Sequence, residues 1–470
     1  MSVGLFQVLN MASRAMDTQQ AGIEVTGQNL SNVNNPNYSR QVLNISTSPS
    51  VATNIGIEGT GVQATGIQQI VSQVVNTQIQ AENSASSYWQ TQQQALQSAQ
   101  ADLGQQVTSA SSNSGDSSQG IASALSNFFN DLQTLSTEPN SLSERQVVLG
   151  DAGTLASQFN QVSQQLGSLT SQLNNQLQTD VTSANQLLTN IASLNKQIAA
   201  AQINTNSSPN DLLDEREEDI ENLANLTNIS VTPETNSTVN ISIGGVQMVS
   251  GDNVTDTMQV YDAGGGQMLV QAATAGTALT LTGGSIAGEI DARDGPVATL
   301  SGGLNTLATQ IIDAVNAVHK TGYSLTGSTN ALFFTGSNAS DIAVNQALVN
   351  NPALLQASGV AGDTGDNTIA LQMAQLANQI NTGLNNQTFS QAYDGTVATL
   401  GQSLSSTDSE VGDQQTVQQM LQQQRSSISG VSLVEEMGNL STYQNAYEAS
   451  AHLMSTVDQM LQALLGIQTS

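Results

Sequence analysis

The residues that most often carry out chemistry in proteins are scarce in this chain. There is no cysteine, and the only histidines are His319 and His452. Without cysteine the chain cannot form disulfides, cysteine-ligated zinc sites, iron–sulfur clusters or a thiol nucleophile. Two distant histidines cannot form an H-E-x-x-H zinc motif, and a Ser-His-Asp triad would have to use one of them. Neither Lys196 nor Lys320 belongs to the Gly-Lys-Ser/Thr sequence of a phosphate-binding loop.

Three short patterns resemble functional sites, and each has a simpler structural interpretation. His319 lies at the end of an apolar predicted helix, where the helix dipole favours a cation, so we interpret it as structural. Gly59–Ala64 has the spacing of a dinucleotide-binding fingerprint but not its strand–turn–helix context, so we predict a turn. The acidic run 211–221 lacks the glycine and alternating ligands of a calcium loop, and it is typical of a solvated helix start. We therefore predict no catalytic residue, no cofactor site and no metal site.

Composition and charge exclude further classes of protein. The formal net charge is −29, with only eight basic residues, which leaves no electrostatic footprint for nucleic acid or an anionic membrane. No run of about 18 apolar residues is present, so we expect no membrane-spanning segment. The first residues, Met-Ser-Val-Gly-Leu-Phe, lack the basic and apolar regions of a secretory signal peptide, so none is predicted.

Most of the chain is predicted to be helical, including one long segment. From Leu155 to Ile198 apolar residues repeat at alternating spacings of four and three, the heptad pattern of a coiled coil. The spacing of four is repeated between Leu173 and Leu177, which is a stutter that unwinds a supercoil locally. Two helices that meet near Thr179-Asp180 are the alternative, and either arrangement gives an elongated bundle. Further helices are predicted near 67–104, 121–137, 211–226, 296–320, 367–384 and 396–427.

The region from about 229 to 293 has a different periodicity. Apolar residues occupy every second position, as in Val239, Ile241 and Ile243, and glycine pairs or triples separate these stretches. Val239–Ile243 and Val246–Val249 flank a two-residue Gly-Gly loop, which is a strong β-hairpin signal. We predict a small antiparallel β domain inserted into a helical chain.

The two ends of the chain carry matching helical seams. Apolar residues recur at spacings of four and three over 5–30 and again over 433–465. Because helices with such narrow apolar stripes are marginal alone, we expect these two to pair with each other or with a partner. The predicted interface residues are Leu5, Leu9, Met16, Ile23, Leu30, Leu433, Met437, Leu440, Tyr447, Met454, Leu461 and Leu465.

Together these elements predict a mainly α fold with an inserted small antiparallel β domain, which is an α+β multidomain class. The terminal helices form a coiled coil, and the middle of the chain forms an elongated helical bundle. Pairing of the termini makes two of the domains discontinuous. The predicted domains are a terminal coiled-coil assembly domain at 1–60 plus 428–470, a helical bundle at 61–228 plus 294–427, and the β domain at 229–293.

Motifs at both ends resemble those of a known family. The segment 29–41, Asn-Leu-Ser-Asn-Val-Asn-Asn-Pro-Asn-Tyr-Ser-Arg-Gln, is similar to the N-terminal signature of bacterial flagellar axial proteins. The segments 429–437, 443–451 and 455–461 resemble the C-terminal signature of the same family. The Tyr-Ser-Arg-Gln ending and the Gly-Val-Ser-Leu start resemble the hook-associated proteins more than the hook or rod proteins, as do Leu212–Asp219 and Gly288–Asp294.

One position in the first motif departs from the family pattern. The residues assigned to the motif turn are Asn29, Asn32, Pro36, Asn37, Tyr38, Ser39, Arg40 and Gln41. The family usually has glycine where Asn37 stands. Asparagine tolerates a left-handed conformation better than most residues, so we expect the turn to be retained.

The resemblance implies a structural flagellar protein and not an enzyme. Such proteins are exported unfolded through the flagellar channel without a cleaved signal peptide, and they are extracellular. They form a ring layer that joins the hook to the filament and is required for filament assembly and motility. The implied partners are copies of the chain itself, the hook protein, the adjoining filament-side junction protein and an export chaperone at the C-terminal helix.

Two alternatives stay open from the sequence. In the first alternative, the chain is a hook protein or another axial protein. The residues Ser39-Arg40-Gln41 disfavour this alternative. In the second, a flagellar frame carries an insert at 229–293 that binds glycan or has an activity. The insert has no histidine and a single arginine, Arg293, at its edge, so its residues offer little support for this alternative.

Overall fold

The computed structural model describes residues 2–53, 56–104, 120–205 and 208–468 of the 470-residue chain. Helices account for most of these residues, as predicted, and the strands form small antiparallel sheets. The helices are α1 (Ser2–Ser31), α2 (Gln73–Asp102), α3 (Ile121–Thr137), α4 (Leu142–Thr205), α5 (Asn210–Leu226), α6 (Gly284–Ala292), α7 (Ala298–His319), α8 (Gln346–Asn350), α9 (Thr368–Gln375), α10 (Phe389–Ser429) and α11 (Leu433–Gln468). The strands are β1 (Gln41–Thr47), β2 (Val51–Thr53), β3 (Gly56–Glu58), β4 (Val62–Gln69), β5 (Ile229–Pro233), β6 (Val239–Ile243), β7 (Val246–Ser250), β8 (Asn253–Val254), β9 (Met258–Asp262), β10 (Met268–Ala272), β11 (Phe334–Thr335) and β12 (Ala343–Val344).

The long helix α4 organises the middle of the molecule. It is one continuous helix of 64 residues, so the alternative of two helices meeting near Thr179-Asp180 is wrong. No proline interrupts it, and apolar neighbours cover its seam along most of its length. One hydrophobic core, which includes α3, α7 and the start of α10, covers α4 as far as Leu173. A second core, formed with α5, α6 and the β region, begins at Leu177.

The β region contains the predicted hairpin. Strands β6 and β7 pair antiparallel across Gly244 and Gly245, whose φ angles are +56° and +84°. Two consecutive left-handed residues define the tight turn that the Gly-Gly sequence predicted, so the hairpin is confirmed. The four-stranded sheet has the order β5-β6-β7-β8, and β9 and β10 form a separate hairpin. The strands of this region end at Ala272, and the remainder of the predicted 229–293 insert contains α6.

A hairpin near the N-terminus was not predicted. Strands β1 and β4 pair antiparallel, with Gln41 opposite Gln69 and Thr47 opposite Val62. Gly61, with a φ of +96°, leads into β4 and leaves no room for a Cβ beside the Met11 side chain of α1. The hairpin therefore lies against α1 and crosses the predicted boundary at residue 60. Because β4 occupies 62–69, α2 begins only at Gln73, later than the predicted residue 67.

The remaining helix predictions differ mainly in length. The helix expected at 367–384 is the short α9, followed by two 3-10 turns at Leu376–Asn378 and Thr382–Leu384. The helix expected at 396–427 begins earlier, at Phe389 in α10, because the Thr388 hydroxyl and the Gln391 side chain form a capping box. Polar capping residues thus set helix ends that apolar periodicity does not mark.

Candidate assembly interface

The terminal helices α1 and α11 pack along each other. The ring of Tyr443 lies over Gly22, where a Cβ would come within 2.7 Å of the ring carbons. Ala12 of α1 and Val457 of α11 are buried. The first and last helices of the chain therefore associate within one molecule, as the seams predicted.

Most of the predicted interface residues are partly buried. The partly buried ones are Leu5, Leu9, Met16, Ile23, Leu30, Leu440, Tyr447, Met454 and Leu461. Leu433 and Met437 are 49% and 57% exposed, and the side chain of Leu465 lies outside the described residues. In α11 every second position of the seam lies one residue earlier than predicted. Glu436 is buried where Met437 was expected, and Val457 is buried where Asp458 was expected, whereas Met437 and Asp458 are exposed. Whether this set forms an interface with other chains stays a prediction.

The start of α11 presents an apolar surface to solvent. Leu433, Val434 and Met437 form this surface, which we call the α11 apolar face, and Val434 is 80% exposed. Ile428, at the end of α10, is also exposed nearby in the chain. Clusters of exposed large apolar side chains are typical of protein interaction surfaces.

Asn29 organises the turn that links α1 to β1. Its side-chain oxygen accepts hydrogen bonds from the Tyr38 hydroxyl (2.8 Å) and from the backbone N–H of Gln41 (2.9 Å). Its side-chain amide donates to the Gln41 carbonyl (2.8 Å) and to Glu436 Oε2 on α11 (3.1 Å). One buried amide therefore satisfies four polar partners and joins the two ends of the chain.

Arg40 makes the second connection between the ends. Its Nε donates to Glu436 Oε1 at 2.8 Å and its Nη2 donates to Glu435 Oε1 at 2.9 Å. Its backbone N–H donates to the Ser429 carbonyl, and its carbonyl accepts from the N–H of Ile70. Glu436 is only 2% exposed, so Arg40 and Asn29 together compensate the burial of this carboxylate.

Asn37 does not have the conformation expected from the family pattern. The expected turn is present at 36–37, but Asn37 does not have a positive φ. Its N–H donates instead to the Asn35 side chain at 3.1 Å, which is a local turn stabilised by an asparagine side chain. A glycine is therefore not required at this position.

The acidic run forms the start of α5, as predicted, but only part of it is solvated, because several of its carboxylates are packed against other elements. Asp214 accepts from the N–H of Ser39 at 3.0 Å, and Glu217 accepts from Gln80 of α2 at 2.8 Å. Glu221 pairs with Arg425 of α10 at 2.6 Å. Burial raises the pKa of all three carboxyl groups above their ordinary values. The sequence showed the charges but not the long-range donors that face them.

His319 is a buried core residue. Its Nδ1–H donates to the Ala331 carbonyl (2.8 Å), and its Nε2 accepts from the N–H of Gln356 (3.0 Å). Burial lowers its pKa to about 4, so it is neutral at pH 7, and the expectation of a cation is wrong. The other histidine, His452, is exposed on α11.

Among the described residues, no three or more His, Cys, Asp or Glu side chains are grouped so that they could hold a metal ion. No helix in the described part of the chain is long and apolar enough to cross a membrane.

Comparison with known proteins shows similarity to flagellar hook-associated proteins. The family model described as "Flagellar hook-associated protein FlgK helical domain" matches residues 111–334, and "Flagellar basal body rod FlgEFG protein C-terminal" matches residues 415–467. The flagellar hook-associated protein 1 of Bacillus subtilis is 28% identical to this chain, and the alignment covers 98% of each. Over nearly its whole length, the chain is therefore similar to flagellar hook-associated protein 1, and its residues 111–334 match the FlgK helical domain.

Two further proteins are similar to most of this chain. Flagellar hook-associated protein 1 of Salmonella typhimurium is 24% identical and covers 98% of this chain and 100% of its own. A solved structure, the flagellar hook junction protein FlgK from Burkholderia pseudomallei, has the same fold with a TM-score of 0.63 at 18% identity. That match covers 75% of this chain and 100% of the solved chain. The predicted mainly α multidomain fold is therefore confirmed.

Proposed function

We propose that this chain is a structural subunit of the bacterial flagellum that joins the hook to the filament. The observation that carries this proposal is the match over 98% of the chain to proteins named flagellar hook-associated protein 1. The paired terminal helices with an exposed apolar face support it, because a joining subunit needs surfaces for other subunits. The role is mechanical, and we assign no catalytic step to any residue.

The terminal helix pair is the assembly element in this proposal. Copies of the chain pack side by side in a ring layer, with the hook protein on one side and the filament-side junction protein on the other. The half-buried seam residues and the α11 apolar face, Leu433, Val434 and Met437, are covered by these neighbours. A repeated contact between two different surfaces of one subunit closes into a ring when its rotation allows.

The turn at 29–41 holds the pair at a defined position on the rest of the subunit. Arg40 connects β1 to the start of α11, and Ser39 is bound by Asp214 of α5. Arg425 and Glu221 connect α10 to α5 next to the same turn. These contacts fix the direction in which the terminal pair leaves the helical bundle, which fixes the orientation of the subunit in the ring.

Export precedes assembly in this proposal. The chain passes unfolded through the flagellar export channel without losing a signal peptide, and a chaperone holds the C-terminal helix before export. An amphipathic helix whose apolar face is uncovered in the free subunit fits a chaperone groove. The mature protein then resides outside the cell, in the flagellum.

A charged residue on the α11 apolar face tests the proposal in cells that lack the native protein. Val434→Asp is expected to give exported protein but hooks without filaments, because the neighbouring subunit would bury an unpaired carboxylate. Ile203→Asp on α4 is the matched control, since Ile203 is 81% exposed and lies outside the terminal pair. Electron microscopy of hook ends and analysis of secreted protein separate failed assembly from failed export. Normal filaments on cells with Val434→Asp would contradict the proposed interface, and filaments on cells lacking the protein would contradict the proposed function.

A further inference from the structure

The two hydrophobic cores along α4 meet at a polar layer. The first core ends at Leu173 and the second begins at Leu177, which is the position of the stutter in the heptad pattern. Beside this boundary lie Asp180 of α4 and Glu289 of α6, which are 7% and 2% exposed. After α6 the chain forms a π-helical turn, Arg293–Val297, before α7 begins. Polar groups, a stutter and an irregular helical turn therefore coincide where the cores join.

Glu289 is buried without a donor for one of its oxygens. Within the described residues, Glu289 Oε2 has no hydrogen-bond partner. Asp180 accepts hydrogen bonds from Gln176 at 2.8 Å and from the Ser285 hydroxyl. The Arg293 guanidinium is engaged by Asp294 at 2.7 and 2.8 Å and by Asn174 at 2.6 Å. The Ser285 hydroxyl and the Arg293 guanidinium are thus directed to other acceptors.

Within the described parts of the chain, the other elements packed on α6 bring no cation to Glu289. From α2, Tyr88 directs its hydroxyl to Asp291 at 2.7 Å, and its backbone lies against Gly288 so closely that no Cβ would fit. From α5, the backbone of Leu226 and Thr227 meets Gly284 at the start of α6. The charges that act on Glu289 are therefore Asp180 on α4 and Arg293 one turn further along the chain.

A carboxylate in such a position is disfavoured. Removing an ionised carboxyl from water is costly unless charge or hydrogen bonds compensate it. Burial and, to a smaller extent, the charge of Asp180 raise the pKa of Glu289 to about 9. Glu289 therefore retains its proton at neutral pH. The neutral acid has an O–H group that can donate a hydrogen bond, and a carboxylate has no such group.

We propose that Glu289 makes the joint between the two cores dependent on a proton: the neutral acid is compatible with the closed packing of α6 on α4, and its ionisation loosens the second core from the first. Because α6 is in close backbone contact at Gly284 and Gly288, it has little room to shift so that water could reach an ionised Glu289. Loss of the proton therefore favours opening of the lobe formed by the second core. This inference concerns the middle of the subunit and is independent of its role in the flagellum.

The direction of the pH dependence follows from the raised pKa of Glu289. Because the pKa of Glu289 is higher in the folded chain than its ordinary value of 4.5, its contribution to stability is complete below about pH 4.5. That contribution is lost progressively as the pH rises toward about 9. Opening that exposes Glu289 should become more favourable by up to about tenfold per pH unit within this window.

The absence of cysteine allows a direct measurement with single reporter thiols. Ala184→Cys reports on the second core and Ala156→Cys on the first, since both alanines are buried. Labelling rates of the folded full-length chain, divided by those of the urea-unfolded chain at the same pH, give the protection of each thiol. Between pH 6 and pH 8 the protection of the thiol at 184 should fall by at least tenfold, and the thiol at 156 should change much less.

Glu289→Gln is the decisive variant because it keeps the size of the side chain and cannot ionise. It should abolish most of the pH dependence at position 184, whereas Asp291→Asn, an exposed carboxylate on the same helix, should leave it unchanged. Asp180→Asn should weaken the dependence without abolishing it, because burial remains. Equal pH dependence in the Glu289→Gln and parent chains would overturn the proposal. A dependence that is equally large at 156 and 184 would also overturn it, because it would report opening of the whole bundle.

Discussion

The same heptad signal has different outcomes in the middle of the molecule and at its ends. In α4 the seam residues Leu155, Phe159, Leu188 and Ile191 are fully buried. In the terminal pair, seam residues such as Leu440 and Met454 remain partly exposed. Other elements surround α4, whereas α11 has α1 as its main neighbour within the described chain. A heptad pattern thus predicts that a helix has a partner, but the partner can belong to another chain.

The largest expected effect is on assembly. When Leu440 and Leu461 are both changed to Asp, we expect a folded middle but no filaments on the hooks. Each buried, unpaired carboxylate in the assembled interface would cost several kcal/mol, about 3–5 each by analogy with broken buried ion pairs. Protease resistance of the purified middle and electron microscopy of the cells test the two halves of this expectation.

A matched control adds the same charge to the exposed side of the helix. Gln444→Asp with Gln462→Asp should leave assembly closer to normal, because both glutamines are exposed in the terminal pair. Recovery of the Leu440/Leu461 variant from the medium shows that export still occurs. Normal filaments built with that variant would show that the seam serves only the fold of one chain.

Replacing a core residue in the middle of the molecule should instead lower the stability of the single chain. Phe128 is fully buried, and its ring lies 5.1–5.7 Å from those of Phe129, Phe333 and Phe334. Phe128→Ala should lower the free energy of unfolding of the first core by about 3–5 kcal/mol, because it leaves a cavity. Phe6→Ala in α1, where Phe6 is 54% exposed, should change it by less than about 0.5 kcal/mol. Urea unfolding of the isolated chain measures the free energy of unfolding of both variants. Equal losses would mean that Phe6 stabilises the single chain as much as Phe128 does, so that the two regions do not differ in this respect.

Much of this architecture could be predicted from the sequence, because apolar periodicity and glycine pairs are local signals. The long helix along Leu155–Ile198, the β6–β7 hairpin and the pairing of the terminal helices all follow from such signals, although α4 extends beyond the predicted seam at both ends, from Leu142 to Thr205. The β1–β4 hairpin was missed because its strands are short of large apolar residues and mainly face α1 and solvent.

The polar connections could not be predicted, since each joins residues that are far apart in the sequence. Glu436 is buried in the α11 seam because Asn29 and Arg40 meet it, and no pattern within α11 indicates those partners. The α5 carboxylates were interpreted as solvated for the same reason. The motif at 29–41 did indicate the segment that joins the two ends of the chain, but it did so through resemblance to a family and not through residue spacing.

The turn itself provides the third test, with an intermediate effect. Asn29→Ala removes the acceptor of the buried Tyr38 hydroxyl and of the Gln41 N–H. Leaving such groups unpaired costs about 1–3 kcal/mol each, so the turn should open and be cut faster by protease. Asn32→Ala is the control, because Asn32 donates a single exposed hydrogen bond to the Gln28 carbonyl. Similar cleavage rates for the two variants would mean that Asn29 does not hold the ends together.

The smallest effect compares two glycines of α1, and it asks whether the terminal helices pack together in the isolated chain. Replacing glycine by alanine inside a helix stabilises it by about 0.5–1 kcal/mol when space allows. Gly27 has open space around its Cα, so Gly27→Ala should slow proteolysis of α1. At Gly22 the new Cβ would lie 2.7 Å from the Tyr443 ring, so Gly22→Ala should separate the helices and speed proteolysis despite the better helix former. Opposite shifts would place the contact between α1 and α11 in the free subunit. Equal protection by both substitutions would mean that α11 leaves α1 in solution and that the pair forms only when neighbouring subunits cover it.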